Sequence, residues 1–234
     1  MWRYNSATGL FTNRPVVTIS EPESLWAIAL NPVNNIIATA NENGKVKFWT
    51  KKGKLIKTIA AHDDKIWSLN FSTDGKYLAS ASADNTIKIW DSQGRILKPV
   101  SGHKDDILSV NLRPDSKYNV SGSKDETVKL WDLTGKLLHK FVGHNQEVSD
   151  VGFSPDGKLI ASASADKTVI WDVASKKARH IENASRAIEV KFSPDGKTLA
   201  TASADNTVKL SYLKGILPTF IGSSVSISPD GKTV

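Results

Sequence analysis

Residues 61–91 read AHDDKIWSLNFSTDGKYLASASADNTIKIWD. The stretch consists of short segments rich in apolar and β-branched residues, and it has Asp-Gly-Lys and Asp-Asn turns about ten residues apart. Such spacing is typical of antiparallel hairpins, and no convincing amphipathic helix is present. We therefore interpret residues 61–91 as consecutive antiparallel strands.

The same pattern repeats along the chain. The turn motif of residues 71–76 recurs at 153–158, 192–197 and 227–232, with a degenerate copy at 112–117. Trp49, Trp90, Trp131 and Trp171 end successive copies and lie 41, 41 and 40 residues apart. This period matches the roughly 40 to 45 residues of a four-stranded propeller blade. The fold class predicted is all-β, a β-propeller of four-stranded antiparallel blades.

The motif pairs resemble those of the WD-repeat family. They are Gly102-His103 with Trp131-Asp132, Gly143-His144 with Trp171-Asp172, and Ala61-His62 with Trp90-Asp91. The Ser-Pro-Asp-Gly-Lys turns and Ala-Ser-Ala-Asp strands are similar to the highly regular WD repeats of bacterial, cyanobacterial-type proteins. The resemblance covers nearly the whole chain and implies an architecture, while the partner stays open.

Five full blades can be assigned within a single domain of 234 residues. We place them at residues 20–60, 61–100, 101–141, 142–181 and 182–220. Residues 1–19 and 221–234 then supply partial strands of an incomplete composite blade. From this division we expect an imperfectly closed ring or a piece of a longer chain, with self-association through open strand edges as one consequence.

Composition limits the possible classes of protein. The hydrophobic content of 39% is sufficient for a sizeable core, and the chain has no cysteine, which is compatible with a reducing cytoplasm. No segment approaches the roughly 20 apolar residues of a membrane span, and the first residues lack a signal-peptide pattern. We expect a cytoplasmic protein.

The family resemblance implies a buried hydrogen-bonded set of His, Ser, Asp and Trp in each regular blade. The sets predicted for blades 2, 3 and 4 are His62, Ser80 (or Ser82), Asp84 and Trp90; His103, Ser121 (or Ser123), Asp125 and Trp131; and His144, Ser162 (or Ser164), Asp166 and Trp171. Because Ser, His and Asp also occur in hydrolases, catalysis is the alternative. The set occurs three times, and in each copy an indole N–H is a further donor, so a structural role is favoured.

Blades 1 and 5 depart from this pattern. Blade 1 has Glu21 near the His position and Asn43 at the Asp position, and blade 5 has Asn183 for His and Ser211 for Trp. We expect these blades to be the weaker ones. Blade 4 lacks one residue before Trp171, so either its turn tightens or Trp171 turns away from His144.

Charge sorts by face in an antiparallel blade. The formal net charge is +7, yet the face that carries the Asp-Gly-Lys turns sums to about +5, whereas the opposite face sums to about −9. On the acidic face, each inner strand begins with one of Trp26, Trp67, Leu108, Ser149 and Ile188. Large aromatic residues anchor many interfaces, although packing between blades is the competing explanation for both Trp residues.

These patterns predict a non-catalytic interaction scaffold or sensor module with no cofactor and no metal site. Its partner would be a protein or peptide, with basic segments binding the acidic face. The candidate binding residues are Trp26, Trp67, Leu108, Asp64, Asp106 and Lys124. Salt-dependent binding of nucleic acid or an anionic surface by the Lys-rich face is the alternative, and nucleic acid is disfavoured because these turns lack aromatic residues for base stacking. An enzyme with its site at the channel mouth is the third possibility.

Overall fold

The computed structural model describes residues 4–5, 10–11, 17–91, 93–181, 185–213 and 215–221. Within these ranges the chain forms 22 β-strands and no helix. The first two strands, β1 (Tyr4–Asn5) and β2 (Leu10–Phe11), pair with each other. Most of the predicted composite blade, residues 1–19 and 221–234, lies outside the described residues.

The other twenty strands form five antiparallel four-stranded sheets, which we number as blades 1 to 5. Blade 1 contains β3 (Leu25–Leu30), β4 (Ile37–Asn41), β5 (Lys45–Trp49) and β6 (Leu55–Ala60). Blade 2 contains β7 (Ile66–Phe71), β8 (Tyr77–Ser82), β9 (Thr86–Asp91) and β10 (Ile96–Ser101). Blade 3 contains β11 (Ile107–Leu112), β12 (Tyr118–Ser123), β13 (Val128–Asp132) and β14 (Leu137–Phe141). Blade 4 contains β15 (Val148–Phe153), β16 (Leu159–Ser164), β17 (Thr168–Asp172) and β18 (Ala178–Ile181), and blade 5 contains β19 (Ala187–Phe192), β20 (Thr198–Ser203), β21 (Thr207–Tyr212) and β22 (Gly215–Ile221).

In every blade the strands pair in chain order, so each sheet is a simple meander. The fold class predicted from the repeat, an all-β protein built of antiparallel propeller blades, is confirmed. The five sheets end at residues 60, 101, 141, 181 and 221.

The recurring Ser-x-Asp-Gly-Lys turn joins the first two strands of a blade. In blade 2, the Ser72 hydroxyl donates to the Asp74 carboxylate at 2.6 Å, and the same carboxylate accepts the Lys76 amide at 3.1 Å. Gly75 adopts φ +69°, a left-handed conformation that suits glycine because it has no Cβ. In the degenerate copy Ser116 adopts the same conformation, at φ +56°. The motif recurs because this turn chemistry is needed once per blade.

The hydrophobic core lies between successive blades. Between blades 3 and 4, for example, Leu130 and Phe141 of one sheet pack against Val151 and Trp171 of the next. Similar clusters lie between blades 1 and 2, 2 and 3, and 4 and 5. Each blade therefore depends on its neighbour to cover one apolar face.

Blade 1 exposes the face that its neighbours bury. Ile28 is 71% exposed and Leu30 is 58% exposed, whereas Val151, at the position of Ile28 in blade 4, is 2% exposed. Leu25 is 45% exposed, and its blade 2 counterpart Ile66 is fully buried. Among the described residues, no neighbouring sheet covers this face of blade 1.

The innermost strands of the five blades line a central channel of about 440 Å³. Polar side chains on these strands bond to the backbone of the next one. The Asn70 side chain accepts the Leu112 amide at 2.8 Å, and the Asn111 side chain accepts the Phe153 amide at 3.0 Å. Such bonds fix the register between successive blades around the channel.

Candidate interaction site at the channel mouth

The structure brings the four predicted members of the blade 3 set together. The Trp131 indole N–H donates to Ser121 Oγ at 2.9 Å, and Ser121 Oγ lies 2.7 Å from His103 Nε2. His103 Nδ1 lies 2.9 Å from Asp125 Oδ2. Because the indole only donates and the carboxylate only accepts, the chain has one direction: Ser121 donates to Nε2, and Nδ1–H donates to Asp125.

The sets of blades 2 and 4 have nearly the same geometry. His62 lies 2.7 Å from Ser80 and 2.8 Å from Asp84, and Trp90 donates to Ser80 at 3.0 Å. His144, Ser162, Asp166 and Trp171 repeat these contacts at 2.7 to 2.9 Å. The second Ser of each strand is used elsewhere: Ser82, Ser123 and Ser164 donate to backbone carbonyls of the preceding connection.

The residue missing from blade 4 is lost from its turn. The pairing of the second and third strands is the same as in a regular blade. Ile160 lies opposite Trp171 in blade 4, and its counterpart Asn119 lies opposite Trp131 in blade 3. The other described turns at this position contain a residue with positive φ, such as Glu126 at +66°, and blade 4 has none there. The turn is therefore shorter, and Trp171 stays in contact with Ser162.

A buried lysine beside the sets was not anticipated from the sequence. Lys129 is 4% exposed, donates to the Gly102 carbonyl and lies 3.3 Å from Asp125. Lys88 donates to the Ala61 carbonyl at 2.6 Å in blade 2, and Val169 occupies this register position in blade 4. The recurrence of Lys two residues before Trp in several repeats was the available signal.

Blades 1 and 5 hold only parts of the set. In blade 1, Trp49 donates to Thr39 at 2.9 Å, and Glu21 pairs with Lys47. In blade 5, the buried hydroxyls of Thr201 and Ser211 have no hydrogen-bond partner among the described residues. Asn183, predicted at the His position, lies outside them. The weakness expected of blades 1 and 5 stays a prediction.

The Ser hydroxyls of the three sets are inaccessible to a substrate. Ser80, Ser121 and Ser162 are each 0% exposed, and an indole N–H donates to each oxygen. A nucleophilic serine needs an exposed oxygen and a place for the substrate. No group of three or more His, Cys, Asp or Glu residues that could hold a metal ion occurs in the described part of the chain.

A β-bulge at the start of each inner strand determines what faces the channel mouth. The register shifts between Leu25 and Ala27, between Ile66 and Ser68, and at the same place in the other three blades. The extra residue in each bulge is one of Trp26, Trp67, Leu108, Ser149 and Ile188, and all five line the channel. A bulge changes the direction of a side chain, and in each blade it turns the bulge residue towards the channel.

Four of the predicted binding residues form one cluster with Lys65. The Trp26 and Trp67 rings meet edge to face, with centroids 5.0 Å apart, and Trp26 is 48% exposed. Trp67 Nε1 donates to Asp106 at 3.3 Å, and Asp106 pairs with Lys124 at 2.8 Å. The Lys65 ammonium lies 5.6 Å and 5.5 Å from the two ring centroids. Leu108 lines the same channel, and Asp64 is exposed beside Lys65.

The opposite side of the channel carries a charged group that the sequence did not reveal. Asp150 accepts the Ser109 hydroxyl at 2.7 Å and the Val190 amide at 3.0 Å. Lys191 lies 3.4 Å from Asp150 and 3.2 Å from Glu189. These residues have no counterpart in the other described blades, so the channel is asymmetric: aromatic on one side and charged on the other.

The lysines of the opposite, basic face are largely solvent-exposed. Lys76, Lys158 and Lys197 are 71%, 78% and 79% exposed at their side chains. Each lies within 4 Å of the Asp of its own turn, at 3.3, 3.8 and 3.9 Å respectively. This local pairing weakens the attraction that the face could exert on an anionic partner.

Burial and hydrogen bonding shift the pKa values of the sets. Burial lowers the pKa of His103 and His144 below the ordinary value of 6.5, although Asp125 and Asp166 act in the opposite direction. Burial alone would raise the pKa of Asp125, but hydrogen bonds from His103, Thr127 and the Lys104 amide outweigh it and hold that pKa well below its ordinary value. The sets therefore favour neutral imidazole and ionised carboxylate.

Acidification is expected to destabilise the protein in two stages. Below pH 6.5 the unfolded chain binds protons at His103 and His144 that the folded chain does not, so stability falls as the pH decreases. Below pH 3.8 the depressed carboxylates add a further loss. The melting midpoint at pH 5.5 should lie below that at pH 7.5. A midpoint that rises on acidification would contradict the assignment.

The five meander sheets, the inner strands around a channel and the repeated buried sets define a β-propeller of WD-type blades. A family model described as "WD domain, G-beta repeat" (WD40) matches residues 13–50, 53–91, 94–132, 135–172 and 179–210. The chain belongs to the WD40 repeat family. The resemblance to WD repeats is confirmed, and the family is generally one of non-catalytic interaction propellers.

The matched repeats are offset from the blades by one strand. The repeat at 53–91 begins with the outer strand β6 of blade 1 and continues with the first three strands of blade 2. Each matched repeat from residue 53 onward therefore joins two sheets, so these neighbouring blades are covalently connected within the repeating unit itself.

Among solved structures, the chain is similar to one described as "Structure of U3-55K". The TM-score is 0.78 at 19% identity, over 84% of this chain. This chain spans 63% of the length of that chain. The likeness at this identity concerns the fold alone. No curated protein matches the chain by sequence. No helix in the described ranges is long and apolar enough to span a membrane.

Proposed function

We propose that this propeller is a non-catalytic interaction module that binds a basic protein or peptide segment at its acidic channel mouth. The observation that carries the proposal is the exposed indole of Trp26, which lies against Trp67 at the mouth of the channel. An aromatic anchor that is half exposed beside a concave opening is a common feature of interaction sites.

The charges around the mouth support a basic partner. Asp63, Asp64 and Asp105 are exposed and form no ion pair with another described residue. Other carboxylates of this face are already paired, such as Asp106 with Lys124 and Glu147 with Arg186. Unpaired carboxylates at a rim attract cationic segments over a distance of about 10 Å at moderate salt.

We extend the proposal to the role of a scaffold or sensor, with the cytoplasm as its proposed location. The described fold supplies two connections per blade on the face of the channel mouth, and a meander sheet holds each of them in place. Binding and recognition residues are commonly presented on loops that a rigid scaffold positions. Under this proposal the module recruits a basic segment and performs no chemistry on it.

A titration with synthetic peptides tests the proposal. A 12-residue peptide rich in Arg and Lys should bind, and the same length of Glu-rich peptide should not. Asp63→Asn, Asp64→Asn and Asp105→Asn combined should weaken binding about tenfold, since three attractive charges are lost. Raising the salt concentration should also weaken binding.

The matched control changes the same number of charges on the opposite face. Asp115→Asn, Asp156→Asn and Asp195→Asn combined keep an acceptor oxygen in each turn while removing three carboxylates. Calorimetric titration should give wild-type affinity for this control. Equal weakening by both triple variants, or equal affinity for the acidic peptide, would contradict the proposal.

A further inference from the structure

Lys65 lies against two indole rings without a carboxylate partner. Its ammonium is 5.6 Å from the Trp26 centroid and 5.5 Å from the Trp67 centroid. No ion pair joins it to another described residue. Lys124, which also approaches Trp67 at 6.0 Å, is instead held by Asp106 at 2.8 Å. The two lysines at this site are therefore held by different interactions.

The position of Lys65 sets blade 2 apart from its neighbours. The residue just before the inner strand is Asp106 in blade 3, Glu147 in blade 4 and Arg186 in blade 5. Asp106 pairs with Lys124, and Glu147 pairs with Arg186. Lys65 occupies the equivalent place, yet only aromatic faces hold its charge. Interactions of this kind are weak where solvent has access, and Trp26 is 48% exposed.

We infer that the Trp26–Trp67 pair is a binding site for a cationic side chain of the partner, an ammonium or a guanidinium, and that Lys65 is its displaceable internal occupant. This inference rests on the proposed function and specifies the chemistry of its central contact. An indole face attracts any desolvated cation, so the surface that holds Lys65 can hold a partner's cation equally well.

Lys65 then acts as a competitor built into the site. A single weak cation has to displace an ammonium tethered next to the rings. A peptide that also contacts Asp63, Asp64 or Asp105 gains further attraction and can displace it. Because Lys65 belongs to the same chain, its local concentration at the rings is high. A ligand that offers only a charge therefore needs a higher affinity for the rings to displace it.

The test uses tetramethylammonium as the probe and the full chain with Lys65→Gln. Binding is followed by the indole N–H resonances of Trp26 and Trp67 at constant ionic strength, with sodium as the balancing cation. The Lys65→Gln chain should bind tetramethylammonium at least about threefold more tightly than wild type, because the competing ammonium is gone. The same chain with Trp26→Leu added should lose the effect.

Lys104→Gln is the matched control. Lys104 is exposed on the same face, and removing it changes the net charge equally without vacating the indole pair. Tetramethylammonium affinity should stay at the wild-type level in this variant. Equal gains for Lys65→Gln and Lys104→Gln, or a gain that persists without Trp26, would overturn the inference.

The outcome is separable from that of the proposed function. If Lys65→Gln leaves tetramethylammonium binding unchanged while the Arg- and Lys-rich peptide still binds wild type, the cation site is wrong and the interaction module stands. If no basic peptide binds but tetramethylammonium does so as expected, the cation site stands and the proposed partner class is wrong. Thermal melting of each variant verifies that the fold is retained.

Discussion

Replacing Trp131 with alanine is expected to lower the free energy of unfolding by about 3–5 kcal/mol, as large core truncations do. Trp131 is 2% exposed and belongs to the cluster between blades 2 and 3. Its indole N–H donates to Ser121, and its ring lies where a Cβ on Gly102 would meet it at 3.0 Å. The substitution leaves a cavity between two sheets and removes the donor that orients Ser121.

Trp26→Ala is the matched control for this change. The same side chain is removed, but Trp26 is 48% exposed and lies outside the clusters between blades. Its loss should cost less than about 1 kcal/mol, in the range of ordinary surface substitutions. Urea denaturation of the two variants gives the comparison. Equal losses would show that Trp26 contributes to packing as much as Trp131, and the channel mouth would then be a structural feature.

Asp125→Ala is the second large effect, with an expected loss of about 3 kcal/mol. The carboxylate accepts from His103, from the Lys104 amide and from both donors of Thr127. It also lies 3.3 Å from the ammonium of Lys129, which is 4% exposed. Truncation leaves the buried His103 imidazole and the buried Lys129 ammonium without their carboxylate partner.

Blade 5 supplies the control for Asp125. Asp205 stands at the same place in its turn, but its carboxylate accepts only from the Thr207 amide and hydroxyl among the described residues. Asp205→Ala should cost less than about 1 kcal/mol, because neither an imidazole nor a lysine is left unpaired. Asp125→Asn, which keeps one acceptor oxygen, should fall between the two alanine variants. A similar loss of stability at both positions would indicate that the effect comes from the hydrogen bonds of the turn and not from the buried set.

The candidate site could be predicted only in part from the sequence. The period placed Trp26 and Trp67 at equivalent positions on one face, because equivalent residues of successive repeats share a position in their blades. Asp106 and Lys124 follow from the sorting of charges by face. The repeat places Lys65 on that face but not beside the indoles, since nothing in the sequence shows that its side chain turns towards two rings.

Asp150 and Lys191 illustrate a second reason for this limit. They belong to neighbouring blades but do not hold equivalent positions, since Asp150 is the third residue of β15 and Lys191 is the fifth residue of β19. A repeat pattern identifies what successive blades share. A contact between unlike residues of neighbouring blades breaks the pattern, and only the packing of the two inner strands shows that they meet.

The sequence by itself determined the architecture of this protein. Turn chemistry and the alternation of apolar residues are local properties, and their repetition every 40 or 41 residues predicted four-stranded blades before any contact was known. The three regular sets of His, Ser, Asp and Trp were likewise identified by their place in each repeat.

Only the tertiary structure decided how these elements face one another. The bulge at the start of each inner strand, which directs Trp26 and Trp67 to the channel mouth, has no distinct sequence signal here. The shortened turn of blade 4, the buried lysines and the position of Lys65 between two rings also depend on packing between neighbouring strands and blades. Side-chain direction after a bulge, and contact across a blade boundary, are set by the whole assembly of sheets and not by any single segment.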